Sequence, residues 1–279
     1  MDTSRRIDGF KYDCLLFDMD DTLYPLSTGL NLACRKNIEE YMLKHLHIEE
    51  SEVPNMCLDL YREYGTTMAG LKALGYEFDN DDFHTYVHGR LPYEKLKPDP
   101  VLRNLLISMP QHKIIFTNAD QAHAQEVLNR LGLRGCFDDI ICFETLNPPN
   151  YTDVPTHNHE LTWSNSFKEA CNKTESGCFK SKTQILCKPS VEAIEAAIQL
   201  ANVDPSKTLF FDDSARNIAS GKAAGLHTVI VGHSDLVPGA DHALNSIHNI
   251  KEALPKIWEV EGDQQQTIKS PAVETMVLA

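Results

Sequence analysis

The sequence lacks the long apolar run that a membrane-spanning helix needs. Such a helix takes about 20 consecutive apolar residues, and no stretch of the 279 residues is that apolar for that length. The segment from Met1 to Arg6 also has neither an apolar h-region nor a small-residue cleavage site before the first strand pattern. We therefore expect a cytoplasmic protein that has no membrane partner.

Basic residues are also scarce. The chain has 26 lysines and arginines against 40 acidic residues, which gives a formal net charge of -14. A nucleic-acid polymer or an acidic membrane surface needs a basic face, so the sequence argues against both partners. An anionic substrate would have to be attracted locally, by a metal ion, a lysine or backbone amides.

The eight cysteines lack the Cys-x-x-Cys spacing of zinc and redox sites. Cys14 and Cys142 lie in apolar, strand-like runs, where buried reduced thiols are expected. Four further residues match no familiar zinc spacing, so we predict no zinc site there: His157, His159, Cys171 and Cys178.

Five short apolar runs have the pattern of buried strands. Helical patterns lie between them, and each has a capping residue before it or a glycine after it, such as Ser190 or Gly132. Strands that alternate with helices predict an α/β protein with a doubly wound parallel sheet. The predicted strands are Cys14 to Phe17, Ile114 to Phe116, Ile140 to Phe143, Thr208 to Phe211 and Thr228 to Val231, and the predicted helices are Gln121 to Leu131, Val191 to Ala201 and Ala215 to Ala224.

The alternation breaks between Tyr24 and Lys97, where helical periods follow one another without a convincing strand. This predicts an inserted α-helical domain. The chain re-enters the sheet region at Asp99, which is suited to cap a helix that has Pro100 in its first turn. We predict a discontinuous core over 10–25 and 99–262, a helical cap domain over 26–98, a long polar surface loop over Asn147 to Lys182 and a disordered tail over 263–279.

Two acids stand where the first apolar run stops. Asp18 and Asp20 follow Phe17 in the sequence Phe-Asp-Met-Asp-Asp-Thr. The carboxyl ends of parallel strands form the ligand-binding edge of open α/β sheets, so this position favours a catalytic role. Two close carboxylates repel unless a cation or proton lies between them, and a divalent metal is the simplest remedy. The alternative is structural, because Asp-x-Asp also occurs in turns and helix caps.

Later segments repeat this arrangement. Thr117 and Asn118 follow the second predicted strand, and Asp212 and Asp213 follow the fourth. Lys188 lies just before a helix start, where its ammonium can neutralise an anion. Each residue alone has a structural explanation as a cap, a turn former or a solvated charge. Together, acids, a hydroxyl and a lysine at one sheet edge indicate a site.

In this order the segments resemble the four motifs of the haloacid dehalogenase-like hydrolase superfamily, over Tyr12 to Gly232. A second Lys-Pro pair at Lys97 precedes Thr117, whereas the family places its lysine after the second motif, so Lys188 is the matching residue. A response-regulator receiver domain has its acidic pair first and its lysine last, which does not fit. The matching segments are Asp18-Met19-Asp20-Asp21-Thr22, Thr117-Asn118, Lys188-Pro189 and Asp212-Asp213-Ser214.

Longer stretches are similar to the pyrimidine 5'-nucleotidase-like branch of plants and fungi. That resemblance implies a cytosolic, magnesium-dependent phosphatase of nucleoside 5'-monophosphates, with a pyrimidine or a purine base, on a Rossmannoid core with an inserted helical cap. The stretches are Asp20 to Pro25, Tyr64-Gly65-Thr66-Thr67 with Gly70-Leu71, and Leu91-Pro92-Tyr93.

The resemblance also implies roles for the motif residues. Asp18 would attack phosphorus to form an aspartyl-phosphate, and Asp20 would act as general acid and base. An aspartate at position 20 favours phosphoryl transfer, because the dehalogenase branch lacks that acid. Mg²⁺ would be held by Asp18, the backbone carbonyl of Asp20, and Asp213, with Asp212 behind them. Phosphate would be bound by Thr117, Asn118 and Lys188.

Five residues of the insertion are candidates for contact with a base or ribose: Tyr64, Thr66, Thr67, His88 and Arg90. The structural alternative is that Tyr64 packs between helices and Thr67 caps one. Other functions remain open: a phosphatase of another small phosphomonoester such as a sugar phosphate or pyridoxal phosphate, a phosphomutase, or a non-catalytic binding protein. The sequence leaves the oligomeric state open.

Overall fold

The computed structural model describes residues 9–148 and 185–260. The predicted tail over 263–279 lies outside the described residues. So does nearly all of the predicted loop after Pro148, including His157, His159, Cys171 and Cys178.

A six-stranded parallel sheet forms the core, in the order β3-β2-β1-β4-β5-β6. The predicted doubly wound parallel sheet is therefore confirmed. Strand β1 is central and pairs with β2 on one side and β4 on the other. The strands are β1 (Cys14–Phe17), β2 (His112–Phe116), β3 (Asp139–Ile141), β4 (Thr208–Asp212), β5 (His227–Val231) and β6 (His242–Leu244).

Strand β1 is buried on both faces because successive side chains of a strand point in opposite directions. Leu15 and Phe17 contribute to one hydrophobic cluster, and Cys14 and Leu16 contribute to the other. This explains why the run is continuously apolar instead of alternating, and it leaves Asp18 at the carboxyl end of the strand.

Helices cover both faces of the sheet. On the Leu15 face lie α5 (Pro100–Ser108), α6 (Gln121–Arg130) and α10 (Ile250–Ala253), and on the other face lie α8 (Val191–Ala201) and α9 (Ala215–Ala223). Side-chain caps begin several of them. Asp99 accepts a hydrogen bond from the Leu102 amide at 2.8 Å, and Ser190 accepts one from the Ala193 amide at 3.0 Å.

The segment predicted as a helical insertion, residues 26–98, is helical. It contains α1 (Leu30–Lys44), α2 (Val53–Tyr64), α3 (Thr67–Ala73) and α4 (Asn80–His88), and short 3-10 turns lie at Leu26–Thr28 and Tyr93–Lys95. These helices bury a hydrophobic cluster of their own, which includes Leu60, Leu71 and Phe83. The cluster also takes in Phe143 from the core, so the insertion rests on the sheet domain. The boundaries at 10–25, 26–98 and 99–262 stay predictions.

Two details of the predicted strands were wrong. The run from Ile140 to Phe143 is a strand only to Ile141, because the chain turns at Cys142 into the short helix α7 (Phe143–Leu146). The Cys142 amide donates to the Thr145 hydroxyl at 3.1 Å, which diverts it from the sheet. Strand β6 was missed because its three residues have only one buried side chain, Leu244.

Within residues 9–148 and 185–260, no helix combines the length and the apolar character needed to cross a membrane. The cytoplasmic location stays a prediction.

Candidate active site

The candidate site lies at the carboxyl edge of the three central strands. Asp18 follows β1, Thr117 follows β2, and Asp212 ends β4. The register aligns Phe17 with Ile115 on one side and with Phe211 on the other, so the residues after these strands are neighbours. The sheet therefore brings together residues that lie about 100 positions apart in the sequence.

Lys188 is the centre of the site. Its side chain is 1% exposed, and Nζ donates hydrogen bonds to Asp18 Oδ1 (2.7 Å), Asp212 Oδ2 (2.8 Å) and the Phe116 carbonyl (2.7 Å). An ammonium has three protons, so all three are used. Burial alone would lower the pKa of Lys188, but the two carboxylates raise it above its usual range. The lysine is therefore a fixed positive charge.

Asn118 holds the backbone of Lys188 in place. Its Oδ1 accepts a hydrogen bond from the Lys188 amide at 2.8 Å, and its Nδ2 donates to the Lys188 carbonyl at 2.9 Å. Asn147 makes the same pair of bonds to Leu186, at 2.8 and 3.0 Å. Both polar groups of the Asn118 side chain thus bind the backbone of Lys188. Phosphate binding by Asn118 stays a prediction, and its backbone amide is the group left to donate.

Thr117 and Thr22 place hydroxyls beside the acids. Thr22 Oγ1 donates to Asp18 Oδ2 at 2.8 Å, so both oxygens of Asp18 have partners. Thr117 Oγ1 accepts a hydrogen bond from the Ala119 amide at 3.1 Å, which leaves its own proton to donate. The two contacts on Asp18 restrict its rotation and orient the carboxylate toward the sheet edge.

Three carboxylates share this edge. One oxygen from each of Asp18, Asp212 and Asp213 lies within 4.8 Å of the others. Burial, and then the neighbouring carboxylates, raise the pKa of Asp213 to about 8. Burial also raises the pKa of Asp18 to about 7, although Lys188 opposes the shift. One lysine does not balance three acids, so the edge favours a further positive charge.

These residues fit a hard divalent cation. Mg²⁺ takes oxygen ligands from one or two carboxylates, and Asp18 and Asp213 offer them. Asp212 is fully buried and accepts hydrogen bonds from the Ser214 amide (2.9 Å) and Asn217 Nδ2 (2.9 Å) as well as from Lys188. Each oxygen of Asp212 accepts two hydrogen bonds, whereas each oxygen of Asp18 accepts one. This difference suits the supporting position that the resemblance implies for Asp212.

Asp20 has different partners. Its Oδ1 accepts hydrogen bonds from Tyr24 Oη at 2.5 Å and from His123 Nε2 at 2.8 Å. Burial raises the pKa of Asp20, but His123 and Tyr24 together hold it below its usual range. The side chain is 36% exposed, so a substrate can reach it. His123 was not among the residues predicted for the site, and its one sequence signal is its position in the first turn of α6, shortly after Thr117 and Asn118.

The predicted contact residues of the insertion fall into two groups. Thr66 and His88 lie next to the core: Thr66 Oγ1 is 4.0 Å from Cys187 Sγ, and the His88 ring stacks on His123 with centroids 4.5 Å apart. The Tyr64 carbonyl accepts a hydrogen bond from Cys187 Sγ at 3.4 Å. Tyr64 and Thr66 therefore border residues 185–188, which we call the Lys188 segment, and His88 lies near Asp20.

Gly65 makes this approach possible. A Cβ at that position would lie 2.3 Å from the Lys188 carbonyl oxygen, and the backbone has φ +88°. Any other residue would push the insertion away from the Lys188 segment.

The remaining two candidates have partners inside the insertion. Thr67 Oγ1 donates to the Cys57 carbonyl at 3.0 Å, and Arg90 pairs with Glu40 at 2.8 Å. The helix cap proposed as an alternative for Thr67 is made by Thr66, whose Oγ1 accepts from the Ala69 amide at 3.1 Å. Contacts of all five residues with a base or ribose stay predictions.

Comparisons with known proteins agree with the fold. A family model described as haloacid dehalogenase-like hydrolase matches residues 12–152, just over half of the chain. Phosphate metabolism protein 8 of Saccharomyces cerevisiae is similar, with 24% identity over 278 residues, 93% of this chain and 77% of the yeast protein.

Two solved structures have a similar fold. CbbY from Rhodobacter sphaeroides, in complex with phosphate, is 16% identical with a TM-score of 0.53, over 88% of this chain and 99% of its own. The HAD-hydrolase YfnB from Bacillus subtilis, bound to magnesium, is 18% identical with a TM-score of 0.50, over 86% of this chain and 97% of its own.

Replacing Lys188 with Met should destabilise the protein strongly. The substitution leaves Asp18 and Asp212 buried without their shared cation, and breaking a buried pair in this way costs about 3–5 kcal/mol. Lys222→Met is the matched control, because Lys222 is 45% exposed in its ion pair with Asp241 and such pairs contribute about 0–1 kcal/mol. Urea unfolding measures both losses, and equal losses would contradict a buried pair at Lys188.

Replacing Asp213 with Asn should stabilise the metal-free protein at pH 8 more than at pH 5. The folded-state pKa of about 8 lies above the unfolded value of about 3.9, so the folded state binds the extra proton between these values. The free energy of unfolding therefore falls as the pH rises through this range, and the variant lacks this loss.

Thermal unfolding in the presence of EDTA at the two pH values measures the difference. Asp235→Asn, at an exposed site, is the control and should not change the pH profile. A gain for Asp213→Asn that is the same at both pH values would show that the charge of Asp213 is not responsible.

Proposed function

Because the chain belongs to the haloacid dehalogenase-like hydrolase family, we propose that it is a magnesium-dependent phosphatase that hydrolyses nucleoside 5'-monophosphates through an aspartyl-phosphate. The observation that carries this proposal is the buried ammonium of Lys188, shared by Asp18 and Asp212 at the carboxyl edge of the sheet. It places a fixed positive charge against the oxygen that would attack, where a phosphate dianion would need it.

The first step is transfer of the phosphoryl group to Asp18. A carboxylate oxygen of Asp18 forms a bond to phosphorus while the bond from phosphorus to the 5' oxygen breaks, and Asp20 donates its proton to that oxygen. Hydrogen bonds from Lys188 and Thr22 hold the two oxygens of Asp18. This restraint keeps the nucleophile oriented and lowers the entropic cost of the step.

The second step is hydrolysis of the aspartyl-phosphate. Asp20 takes a proton from water, the water oxygen attacks phosphorus, and inorganic phosphate leaves as Asp18 is restored. The hydrogen bonds from His123 and Tyr24 favour the ionised form of Asp20, which suits its role as a base. The charge of an arriving phosphate opposes ionisation of the same carboxylate, which suits its earlier role as an acid.

Asp18, Asp213 and the backbone carbonyl of Asp20 would hold Mg²⁺, with Asp212 orienting the group. When bound, the ion neutralises charge on the transferring phosphoryl group. The backbone amide of Asn118 and the hydroxyl of Thr117 would donate hydrogen bonds to the phosphoryl oxygens, and the ammonium of Lys188 would supply positive charge beside them.

The nucleotide part of the proposal rests on the insertion. Its support is the resemblance of the Tyr64-Gly65-Thr66-Thr67 and Leu91-Pro92-Tyr93 segments to the pyrimidine 5'-nucleotidase-like branch. In the structure Tyr64 and Thr66 border the Lys188 segment, and His88 stacks on His123 beside Asp20. A base or ribose held by the insertion would therefore be close to the phosphate site. The name of the yeast relative, Phosphate metabolism protein 8, agrees with a phosphorylated substrate.

A screen of purified protein over small phosphomonoesters tests the substrate class. The panel contains pyrimidine and purine nucleoside 5'-monophosphates, sugar phosphates and pyridoxal phosphate, and the readout is inorganic phosphate released with Mg²⁺ present. We expect the highest kcat/KM for a nucleoside monophosphate, with activity lost in EDTA and restored by Mg²⁺.

Other outcomes would replace the proposal. A preference for a sugar phosphate or pyridoxal phosphate would favour a different phosphatase. A sugar-phosphate isomer formed without phosphate release would indicate a phosphomutase. Binding without turnover would indicate a non-catalytic protein. Activity unchanged by EDTA would exclude a requirement for Mg²⁺.

Substitution of the two motif aspartates should separate their roles. Asp18→Asn should reduce turnover to the uncatalysed background and abolish a hydroxylamine-sensitive phosphoenzyme in rapid-quench experiments. Asp20→Asn should lower kcat by about 10²–10⁴-fold, the usual contribution of general acid-base catalysis. Asp235→Asn should leave kcat unchanged, and a phosphoenzyme that persists in Asp18→Asn would exclude Asp18 as the nucleophile.

A further inference from the structure

A second group of metal-ligating side chains lies outside the acidic edge. His84 and His88 are four residues apart on α4, so they lie on the same face of the helix. Asp120, which begins α6 in the core, lies opposite them. One donor atom from each of the three residues is within 4.8 Å of the other two. We refer to these three residues as the His-His-Asp cluster.

His84 is the unusual member of the cluster. Its side chain is 8% exposed, and neither ring nitrogen has a hydrogen-bond partner. Its Nδ1 is 3.5 Å from Asp120 Oδ2, and the ring lies edge-on against Phe143. Buried polar groups without a partner are rare, and a bound ion or water is a common reason for them. The imidazole is therefore buried beside a carboxylate oxygen with which it makes no hydrogen bond.

Asp120 is already oriented toward the two rings. Its Oδ1 accepts a hydrogen bond from the His123 amide at 2.9 Å and so caps α6. Its Oδ2 forms a short hydrogen bond with His88 Nδ1 and faces His84 Nδ1. A carboxylate held through one oxygen, with the other directed at two imidazoles, is the arrangement that metal ligands show when an outer hydrogen bond fixes them.

We propose that the His-His-Asp cluster is a second cation site, for a divalent transition-metal ion such as Zn²⁺, distinct from the edge formed by Asp18, Asp212 and Asp213. Two imidazole nitrogens and one carboxylate oxygen suit Zn²⁺ and leave a fourth position for water. Mg²⁺ prefers oxygen ligands, so the two sites would select different ions. This proposal does not depend on the proposed phosphatase activity.

The protonation states at neutral pH suit this role. Burial, and then His88, lower the pKa of His84 to about 4, so the ring is neutral and its lone pair is available. Despite burial, His88 and His84 hold the pKa of Asp120 below its usual range, so the carboxylate is ionised. Ligands around Zn²⁺ lie at about 2.0–2.2 Å from the ion, so His88 Nδ1 and Asp120 Oδ2 would have to separate, and the ion would replace the hydrogen bond between them.

Such an ion would join the insertion to the core. His84 and His88 belong to α4, whereas Asp120 belongs to the loop that follows β2. His88 also stacks on His123, which donates to Asp20. The bound ion would therefore hold α4 next to the general acid of the proposed mechanism, and it would stabilise the contact between the two parts of the chain.

Metal titration of the full-length protein tests the proposal. The protein is stripped with EDTA, dialysed, saturated with Mg²⁺ and titrated with Co²⁺, whose visible absorption reports nitrogen ligands, and then with Zn²⁺ as a competitor. We expect one equivalent of Co²⁺ to bind and Zn²⁺ to displace it. His84→Ala and His88→Ala should each weaken binding by at least the ~10–100-fold that loss of an outer-shell partner costs.

Two controls locate the ion. Asp213→Asn alters the acidic edge and should retain the Co²⁺ equivalent. His248→Ala removes a half-exposed histidine that pairs with Asp99 elsewhere and should also retain it. The chain has other histidines and cysteines, including His157, His159, Cys171 and Cys178, so the loss in both cluster variants is the deciding result.

Three results would overturn the proposal. These are no Co²⁺ bound beyond Mg²⁺ saturation, binding that survives in both cluster variants, and binding that is lost in Asp213→Asn. Because His84 is buried, circular dichroism and the thermal midpoint must show that its variant is folded. His88→Ala, at a residue that is 14% exposed, gives a second reading if the His84 variant does not fold.

Discussion

Three buried charges at the carboxyl edge of the sheet constrain the rest of the site. Lys188 uses all three ammonium protons on Asp18, Asp212 and the Phe116 carbonyl. A buried ion pair is weak evidence of stability, since desolvation offsets much of the attraction. The ion pair instead fixes the geometry of the site, because a buried charge without water to solvate it must stay in contact with its partners. Lys188 thereby holds its own segment against the ends of β1, β2 and β4.

The same edge divides into two chemical environments. Burial and then the neighbouring carboxylates raise the pKa of Asp18 and of Asp213, although Lys188 opposes both shifts. Asp20, two residues after Asp18, bonds to His123 and Tyr24, and its pKa is lowered. Neighbouring carboxylates with opposite shifts are suited to different roles. Beyond Asp20 lie the stacked imidazoles of His123 and His88, so nitrogen donors adjoin one end of the carboxylate edge.

The sequence predicted the carboxyl ends of β1 and β2 because each depends on local information. A buried central strand has to be apolar throughout, and the residue where that run stops is where the edge begins, as Phe17 and Asp18 show. The motif order then placed Lys188 on the edge, although it lies between strands.

The features that the sequence did not show depend on contacts between distant segments. His123 on a helix has no local sign that its ring meets Asp20, and nothing at His84 reveals that both nitrogens are buried without partners. The end of β3 likewise depends on one contact, between the Thr145 hydroxyl and the Cys142 amide, which the apolar pattern of the sequence does not reveal.

The paired bonds between Asn147 and Leu186 have a consequence for how this chain can change. They fasten Leu186 to the residue that follows α7, two residues before the residue that carries the fixed positive charge. The lysine is thereby anchored to the same domain that carries the acids. A substitution at Asn147 would release that anchor without altering any charge of the site, so a neutral change well away in the sequence could shift the position of the ammonium.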